Sequence, residues 1–364
     1  MGKMHGIKHR RTLLPVALLA TGALLLGAFS TTAASATTTT KASTTGPNTP
    51  KPKPLPTMTP VVIGYTAPIE VFAEPELALL NGEFAKENLN ATVQLVTPST
   101  VPQLLAQGTI QVALNGVSAG TLNAIDQGVD VTAIGNVETL QASDPSGLYI
   151  QKQFLNAKGK LKKPLPSNFT LTLGNTGLAA VSIYWTEKYL EANGLTINDT
   201  TNVNLAQNLI GTALTNGSVD AGFANNPYAG PLATNPNLVK VAPAGGAAWY
   251  VSTTGYITQH ANVVQAVMRA LVRTARTYLA PGYRNNPKVM SQISTWLNVP
   301  TATINLSPAA VFLPNMDLAV LKPIVQGVQQ TWIKVGNVLT YPTPIPFSKL
   351  TDPAILASVL GKKK

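Results

Sequence analysis

The hydrophobic pattern is clearest over Ser99–Ala124. Leu104 and Leu105 give a short helix an apolar face, and Gly108 stands where left-handed backbone ends a helix. Ile110, Val112, Ala113 and Leu114 form a strand with little polar character, as expected when both faces are covered. Asn115–Gly120 then predicts a small-residue loop opening a second helix, with Ser118 as its N-cap. A strand running into such a loop is a common ligand seat. Many α/β proteins contain one, so the signal alone is weak.

Order begins at Val61–Tyr65, a strand ending at Gly64, followed by a loop over Thr66–Pro75 and a helix through Leu77, Leu79 and Leu80. A helical turn around Phe84 stops near Asn88, and Thr92–Val96 is the next strand. The same sequence of events returns about 109 residues later. Leu171–Gly174 is a strand, Asn175–Gly177 a loop, and Ala179–Glu191 an amphipathic helix whose apolar members are Val181, Tyr184, Trp185, Tyr189 and Leu190. Val203–Leu205 and Leu209–Leu214 repeat the strand and helix, and Gly217 leads into the strand that ends near Asn225. The offsets from Gly64 to Gly174, Leu89 to Leu195 and Gly108 to Gly217 are 110, 106 and 109. Three landmarks at nearly one offset predict two similar α/β lobes with a cleft between them, a preferred place for ligands.

Beyond the second lobe, Trp249–Ile257 reads as extended. Asn262–Ala280 is a strongly amphipathic helix. Val263, Val264, Val267, Leu271, Val272, Ala275 and Leu279 line one face, and Arg269, Arg273 and Arg276 the other, which predicts a solvated arginine stripe. Pro287–Leu297 and Leu318–Val335 are further helices, the second kinked or interrupted at Pro323.

Composition changes the picture at the ends. Lys3, Lys8, Arg10 and Arg11 precede an apolar run over Leu13–Phe29, and Ala34-Ser35-Ala36 is a small-residue cleavage pattern. Residues 1–36 are therefore expected to be a secretory signal peptide, with an uncleaved anchor as the alternative and Arg10-Arg11 as a loose twin-arginine match. Thr37–Pro60, rich in Thr, Pro and Lys, is expected to be a disordered linker. The net charge of +11 is concentrated outside the core: +4 in residues 1–36, +3 in the linker and +3 at Lys362–Lys364, leaving +1 for the folded part. That distribution argues against a nucleic-acid partner. The chain has no cysteine, which excludes disulfides, thiolate metal sites, a cysteine nucleophile and a cysteine-anchored lipoprotein.

The runs VVIGYTAPIEVFAEPELALLNGEFAKENLNATVQLV, LAQGTIQVALNGVSAGTLNAIDQGVDVTAIGNV and LTNGSVDAGFANNPYAG, in this order, resemble the extracytoplasmic solute-binding proteins of ABC importers. The branch is the one for nitrate, taurine, aliphatic sulfonates and thiamine-precursor pyrimidines. The resemblance spans roughly Val61–Leu350. It implies an α/β, two-lobed periplasmic-binding-protein-like fold of type II, with the lobes joined by two crossover strands and closing on ligand by a hinge. Lobe 1 would be residues 61–147 plus 251–364, and lobe 2 residues 148–250. Carried over by position, the ligand would meet Tyr65, Thr66 and Glu70; Gly116, Val117, Ser118 and Ala119; Asn175, Thr176 and Gly177; and Asn225, Asn226 and Tyr228. The implied partners are a small-molecule ligand, an ABC permease and its ATPase subunit. The protein would be an exported monomer, with no cofactor and no metal.

One departure matters. Where the family often has Trp-Glu-Pro or Trp-Asp-Pro, this chain has Asn225-Asn226-Pro227. Amides in place of an aromatic wall point away from a long aliphatic sulfonate and toward a smaller or more polar ligand. None of the four loops contains Arg or Lys, so an anion would depend on backbone N–H groups and helix N-termini. Glu70, Glu74 and Glu76 either face solvent or favour the helix N-terminus, or Glu70 meets an amine or ring nitrogen. Anion, zwitterion and neutral ring therefore all stay open. A secreted enzyme using carboxylates such as Glu70 and Glu138 is the competing class. His260 is the only histidine after the signal segment and lies far from the expected cleft, and no P-loop is present.

Overall fold

The structure is a computed structural model and describes residues 49–140, 143–162 and 170–361. The expected signal peptide and residues 37–48 of the expected linker lie outside the described residues. In chain order the strands are β1 (Thr59–Tyr65), β2 (Leu89–Leu95), β3 (Val112–Gly116), β4 (Thr132–Asn136), β5 (Glu138–Thr139) and β6 (Gly147–Gln151). They continue with β7 (Leu171–Asn175), β8 (Thr200–Asn204), β9 (Ala221–Ala224), β10 (Leu238–Pro243), β11 (Ala248–Ser252) and β12 (Val311–Phe312). Two five-stranded sheets result, ordered β2-β1-β3-β11-β4 and β10-β6-β9-β7-β8, with β5 and β12 paired apart from them. β1 runs parallel to β2 and β3, and β7 parallel to β8 and β9. β11 and β6 enter antiparallel. The chain crosses from the first sheet to the second between β4 and β6 and returns between β10 and β11.

The internal repeat has a physical cause. A Cβ on Gly64 would stand 3.1 Å from Ile110 and Val96, and one on Gly174 would stand 3.1 Å from Leu205 and 3.3 Å from Val219. Each glycine ends a strand where the apolar side chains of two neighbouring segments close over it. The main chain repeats as well. Gln111 N–H donates to the Val62 carbonyl while its side chain accepts from Val62 N–H; Asp220 and Thr172 make the same exchange. Gly108 and Gly217 both take positive φ, +68° and +78°, as helix stops require.

Helices cover the sheets: α1 (Glu74–Leu80), α2 (Val101–Ala106), α3 (Ala119–Asp126), α4 (Ser182–Glu191) and α5 (Gln207–Thr215), then the long helix Ala261–Tyr278 and the helices Pro287–Leu297 and Lys322–Val335. One core packs Ala261–Tyr278 against Ile63, Leu114 and Tyr250 of the first sheet. A second joins Trp249 and Val251 to Leu148, Leu173, Phe223 and Trp332. The third lies under α5, around Tyr149 and Leu232.

Several expectations need correction. Two of the three members of the arginine stripe are not solvated: Arg269 and Arg273 are buried, while Arg276 is half-buried. Arg269 donates to Glu87 Oε2 through Nε (3.0 Å) and Nη2 (2.7 Å), while Arg273 Nε donates to Glu83 Oε2 at 2.7 Å and its Nη1 to Glu87. The polar face meets two carboxylates from the turn after α1, and buried charges of that kind require partners. Part of the expected tether is docked: Leu55 is buried, Lys53 N–H donates to Glu87 and the Asn88 amide donates to Leu55 O. Trp249–Ile257 is extended only through Ser252; the helix Thr254–Gln259 follows, capped by the Thr253 side chain. Pro323 causes no kink, because it lies in the first turn of Lys322–Val335, where an N–H is not needed. That helix packs on α4, with Trp332 Nε1 donating to Leu178 O (2.9 Å) and Asn198 to Val335 O (3.1 Å).

Candidate functional site

A cavity of about 570 Å³ opens between the two sheets. The first sheet contributes Thr66 after β1 and Asn115–Ser118 at the end of β3. The second contributes Thr176–Ser182 after β7, Phe223 within β9, and Asn225 and Asn226 after it. The crossing segments supply Glu138, Asp144, Ser146, Ala244, Gly245, Ala247 and Ala248. Among the described residues no Lys, Arg or His is in the wall.

Local folding explains each position. β3 ends at Gly116, and Ser118, extended at φ −142°, caps α3 with its Oγ 3.4 Å from Thr121 N. Thr66 Oγ1 donates to Asn115 Oδ1 (3.3 Å) and Asn115 Nδ2 to Thr121 Oγ1 (3.0 Å), so the loops after β1 and β3 share one polar chain. Across the cavity, Asn175 is buried. Its Oδ1 accepts from Gly177 N–H at 2.6 Å, which shapes the turn, and its Nδ2 donates to Asn202. The rims meet directly. Ala119 N–H donates to Ala179 O (3.0 Å), Ser118 bridges to Ala180, and Ser307 Oγ donates to Asn226 Oδ1 (2.6 Å).

The structure brings Thr66, Gly116, Val117, Ser118, Thr176, Gly177, Asn225 and Asn226 into the cavity wall. Tyr65, Glu70, Ala119, Asn175 and Tyr228 are not in it. Tyr65 packs on Trp296 at 5.3 Å, Ala119 and Asn175 hold the loops from behind, and Tyr228 reaches Pro68 O at 3.5 Å. The reading of Glu70 as an amine partner is corrected. Its carboxylate is fully buried, held by both Nε and Nη2 of Arg284, and accepts from Tyr283 Oη at 2.5 Å. Glu74 does not face solvent either. It is buried, accepts only from Tyr250 Oη (2.8 Å), and burial pushes its carboxyl up to about 8.

Sequence reasoning missed the aromatic wall and the acidic floor. Trp185 and Phe223 stack at 6.0 Å and 26° and both face the cavity. They supply the aromatic surface that Asn225-Asn226 omits, beside the amides themselves. Pockets of roughly 300–1,000 Å³ take drug-sized ligands. Helical periodicity marks Trp185 as apolar, but it cannot separate core from cavity. In the floor, Asp144 accepts from Ser146 N–H (2.7 Å) and from Asn226 Nδ2 (2.9 Å). Burial, followed by the charge of Asp144, pushes the Glu138 carboxyl up to about 8, against a backbone hydrogen bond from Ala247 and with a further upward push from Glu70. His260 lies outside the cavity wall, packed on Tyr256 at 4.6 Å. Among the described residues no group of three His, Cys, Asp or Glu side chains converges as metal ligands would.

The strand orders, the two crossings and the enclosed cavity define the two-lobed periplasmic-binding-protein-like fold. No protein-family model matches the chain, and no curated protein sequence does. Solved structures do match. The alkanesulfonate-binding protein SsuA of Xanthomonas axonopodis pv. citri, bound to MOPS, is 16% identical with a TM-score of 0.59; the match covers 80% of this chain and 98% of that one. The periplasmic nitrate-binding protein NrtA of Synechocystis PCC 6803 is 12% identical with a TM-score of 0.62, covering 84% and 89%. The desulfurization enzyme DSZB is 16% identical with a TM-score of 0.55, covering 83% and 99%. At these identities the likeness is one of fold.

Proposed function

We propose that the chain is the extracytoplasmic solute-binding subunit of an ABC importer. It takes a small solute between lobes 61–147 plus 251–364 and 148–250, closes by a hinge at the two crossings, and delivers the solute to a permease driven by a separate ATPase subunit. The observation that carries this reading is the cavity itself, about 570 Å³ and walled from both sheets. Residues that touch across its rim also match a closed state of such a hinge. The export pattern of residues 1–36 agrees with this location, and the neighbours that bind a sulfonate or nitrate agree with the class of protein.

The contacts assigned to the solute are Thr66, Gly116–Ser118, Thr176, Gly177, Asn225 and Asn226. Sulfonates, taurine-like zwitterions and nitrate are the first solutes to test, with an aminopyrimidine next. DSZB shows that the fold also houses an enzyme, and one DSZB structure is of a cysteine-to-serine variant holding biphenyl-2-sulfinic acid. This chain has no cysteine to place there. Thermal unfolding of the purified protein against these solutes, with each recovered and analysed afterwards, tests the reading. A binder raises its melting temperature and returns the solute unchanged. Turnover of the solute would overturn the proposal.

A further inference from the structure

The cavity has an unmet electrostatic demand. Among the described residues six buried side-chain atoms lack a hydrogen-bond partner, and two of the six belong to residues of the cavity wall: Glu138 Oε2 and Ser182 Oγ. Glu138 is only 6% exposed. Each oxygen of Asp144 already accepts one hydrogen bond, Oδ1 from Ser146 and Oδ2 from Asn226. The nearby cations are committed. Arg284 holds Glu70 and the carbonyls of Ile304 and Ser307, and Lys240 Nζ donates to the Asp144 carbonyl. The floor therefore carries carboxyl groups with one oxygen that has no partner, and among the described residues the wall offers no cation.

An anion would be badly placed here. Two of the four N–H groups that α3 leaves without a helical acceptor are already taken: Ala119 on Ala179 O and Thr121 on Ser118 Oγ. Half of the backbone seat on which anion binding would depend is occupied. A cation at Glu138 relieves the missing partner and the repulsion from Asp144 together.

We propose that the ligand of this cavity carries a protonated amine, seated on the Glu138 carboxylate, with its apolar body against the Trp185–Phe223 stack. The proposal rests on the solute-binding reading and names its substrate class. Proton linkage gives it a sign. With its carboxyl pushed up to about 8, Glu138 holds a proton at pH 7 and must release it to pair with an ammonium. Affinity for an amine then rises from pH 6 to pH 8, by at most about tenfold per unit. An anion taking a hydrogen bond from the protonated carboxyl would bind more weakly over the same range. The other ionisable groups around Glu138 are Asp144 and Glu70, with Arg284, Tyr283 and Lys240 on their far sides.

The test is calorimetry at pH 6, 7 and 8 with matched probes: benzylamine, 2-phenylethylamine and tyramine against benzenesulfonate, 2-phenylethanesulfonate and taurine. The expected result is binding of at least one aromatic amine, tightening with pH. Glu138→Gln should weaken it at least tenfold and flatten the pH profile while the circular dichroism stays native. The pH profile of the unaltered protein stands independently of that variant. Binding confined to the aryl sulfonates, affinity that falls as pH rises, or an unchanged Glu138→Gln overturns the amine seat and leaves the solute-binding reading in place. Binding of no probe overturns the amine seat, and the solute-binding reading is then decided by the melting series with nitrate and the aminopyrimidine.

Discussion

Arg273→Ala separates a buried ion-pair network from a solvated stripe. Arg273 is 4% exposed, and its guanidinium reaches Glu83 Oε2 (2.7 Å), Glu83 O (2.9 Å) and Glu87 Oε1; both glutamates are buried. Breaking a buried pair on one side costs about 3–5 kcal/mol, because the remaining charge stays buried. Here Glu87 keeps Arg269, and Glu83 keeps Lys86 and the Tyr278 hydroxyl (3.3 Å), so the lower end applies. About 3 kcal/mol corresponds to a fall in melting temperature of roughly 6–12 °C for a domain of this size class. A solvated arginine would change stability by no more than about 0.5 kcal/mol. pH gives a second signature. Burial raises the Glu83 carboxyl, but hydrogen bonds and charge from Lys86 and Arg273 outweigh it, so its net position is below the ordinary value. A lowered folded value gives stability that is present above the unfolded pKa and lost as pH falls through the folded one. Without Arg273, burial is less opposed and the carboxyl titrates higher, so the deficit of the variant narrows from pH 7 toward pH 4. Urea unfolding followed by circular dichroism at both pH values measures this. A loss near zero at pH 7, or a deficit that does not change with pH, would refute the reasoning.

Three further outcomes can be checked. Ser118→Ala removes the α3 cap and should cost about 1 kcal/mol in denaturant unfolding. It should also weaken whichever probe the cavity takes, and an unchanged Kd would remove Ser118 from the site. Gly222→Ala places a Cβ 2.9 Å from Ile210 Cγ2 and 3.1 Å from Leu214 Cδ1, so the variant should lose about 1–3 kcal/mol by overpacking; a melting temperature equal to the parent's would contradict that packing. Glu74, with its carboxyl raised to about 8, disfavours the ionised form in the fold, so its contribution to stability declines between about pH 4.5 and 8, by at most about 1.4 kcal/mol per unit. Glu74→Gln should remove that part of the slope of unfolding free energy against pH, and an unchanged slope would sink the assignment.

What the sequence makes legible follows from what is local. Gly64 and Gly174, Gly108 and Gly217 are visible because a strand end pressed under apolar neighbours and a left-handed helix stop each demand glycine. Ser118 is visible because an N-cap is decided within four residues. Tertiary choices are not visible in this way. The polar face of Ala261–Tyr278 has the same periodicity whether water or Glu83 and Glu87 cover it, and Trp185 has the same helical phase whether it faces core or cavity. Glu70 looked free because Arg284 lies more than 200 residues away in sequence. The acidic floor is hidden for a further reason. Glu138 and Asp144 stand in the first crossing, which belongs to neither copy of the repeat, so comparing the two copies cannot single them out. Yet a crossing is where one short segment borders both lobes, and the crossings meet at the base of the cleft. Under the proposed function a carboxyl placed there would meet both the ligand and the hinge. A charge arriving at Glu138 therefore changes the electrostatics of the segment about which the lobes would turn. That coupling predicts that an amine, and not a sulfonate of the same shape, stabilises the closed form.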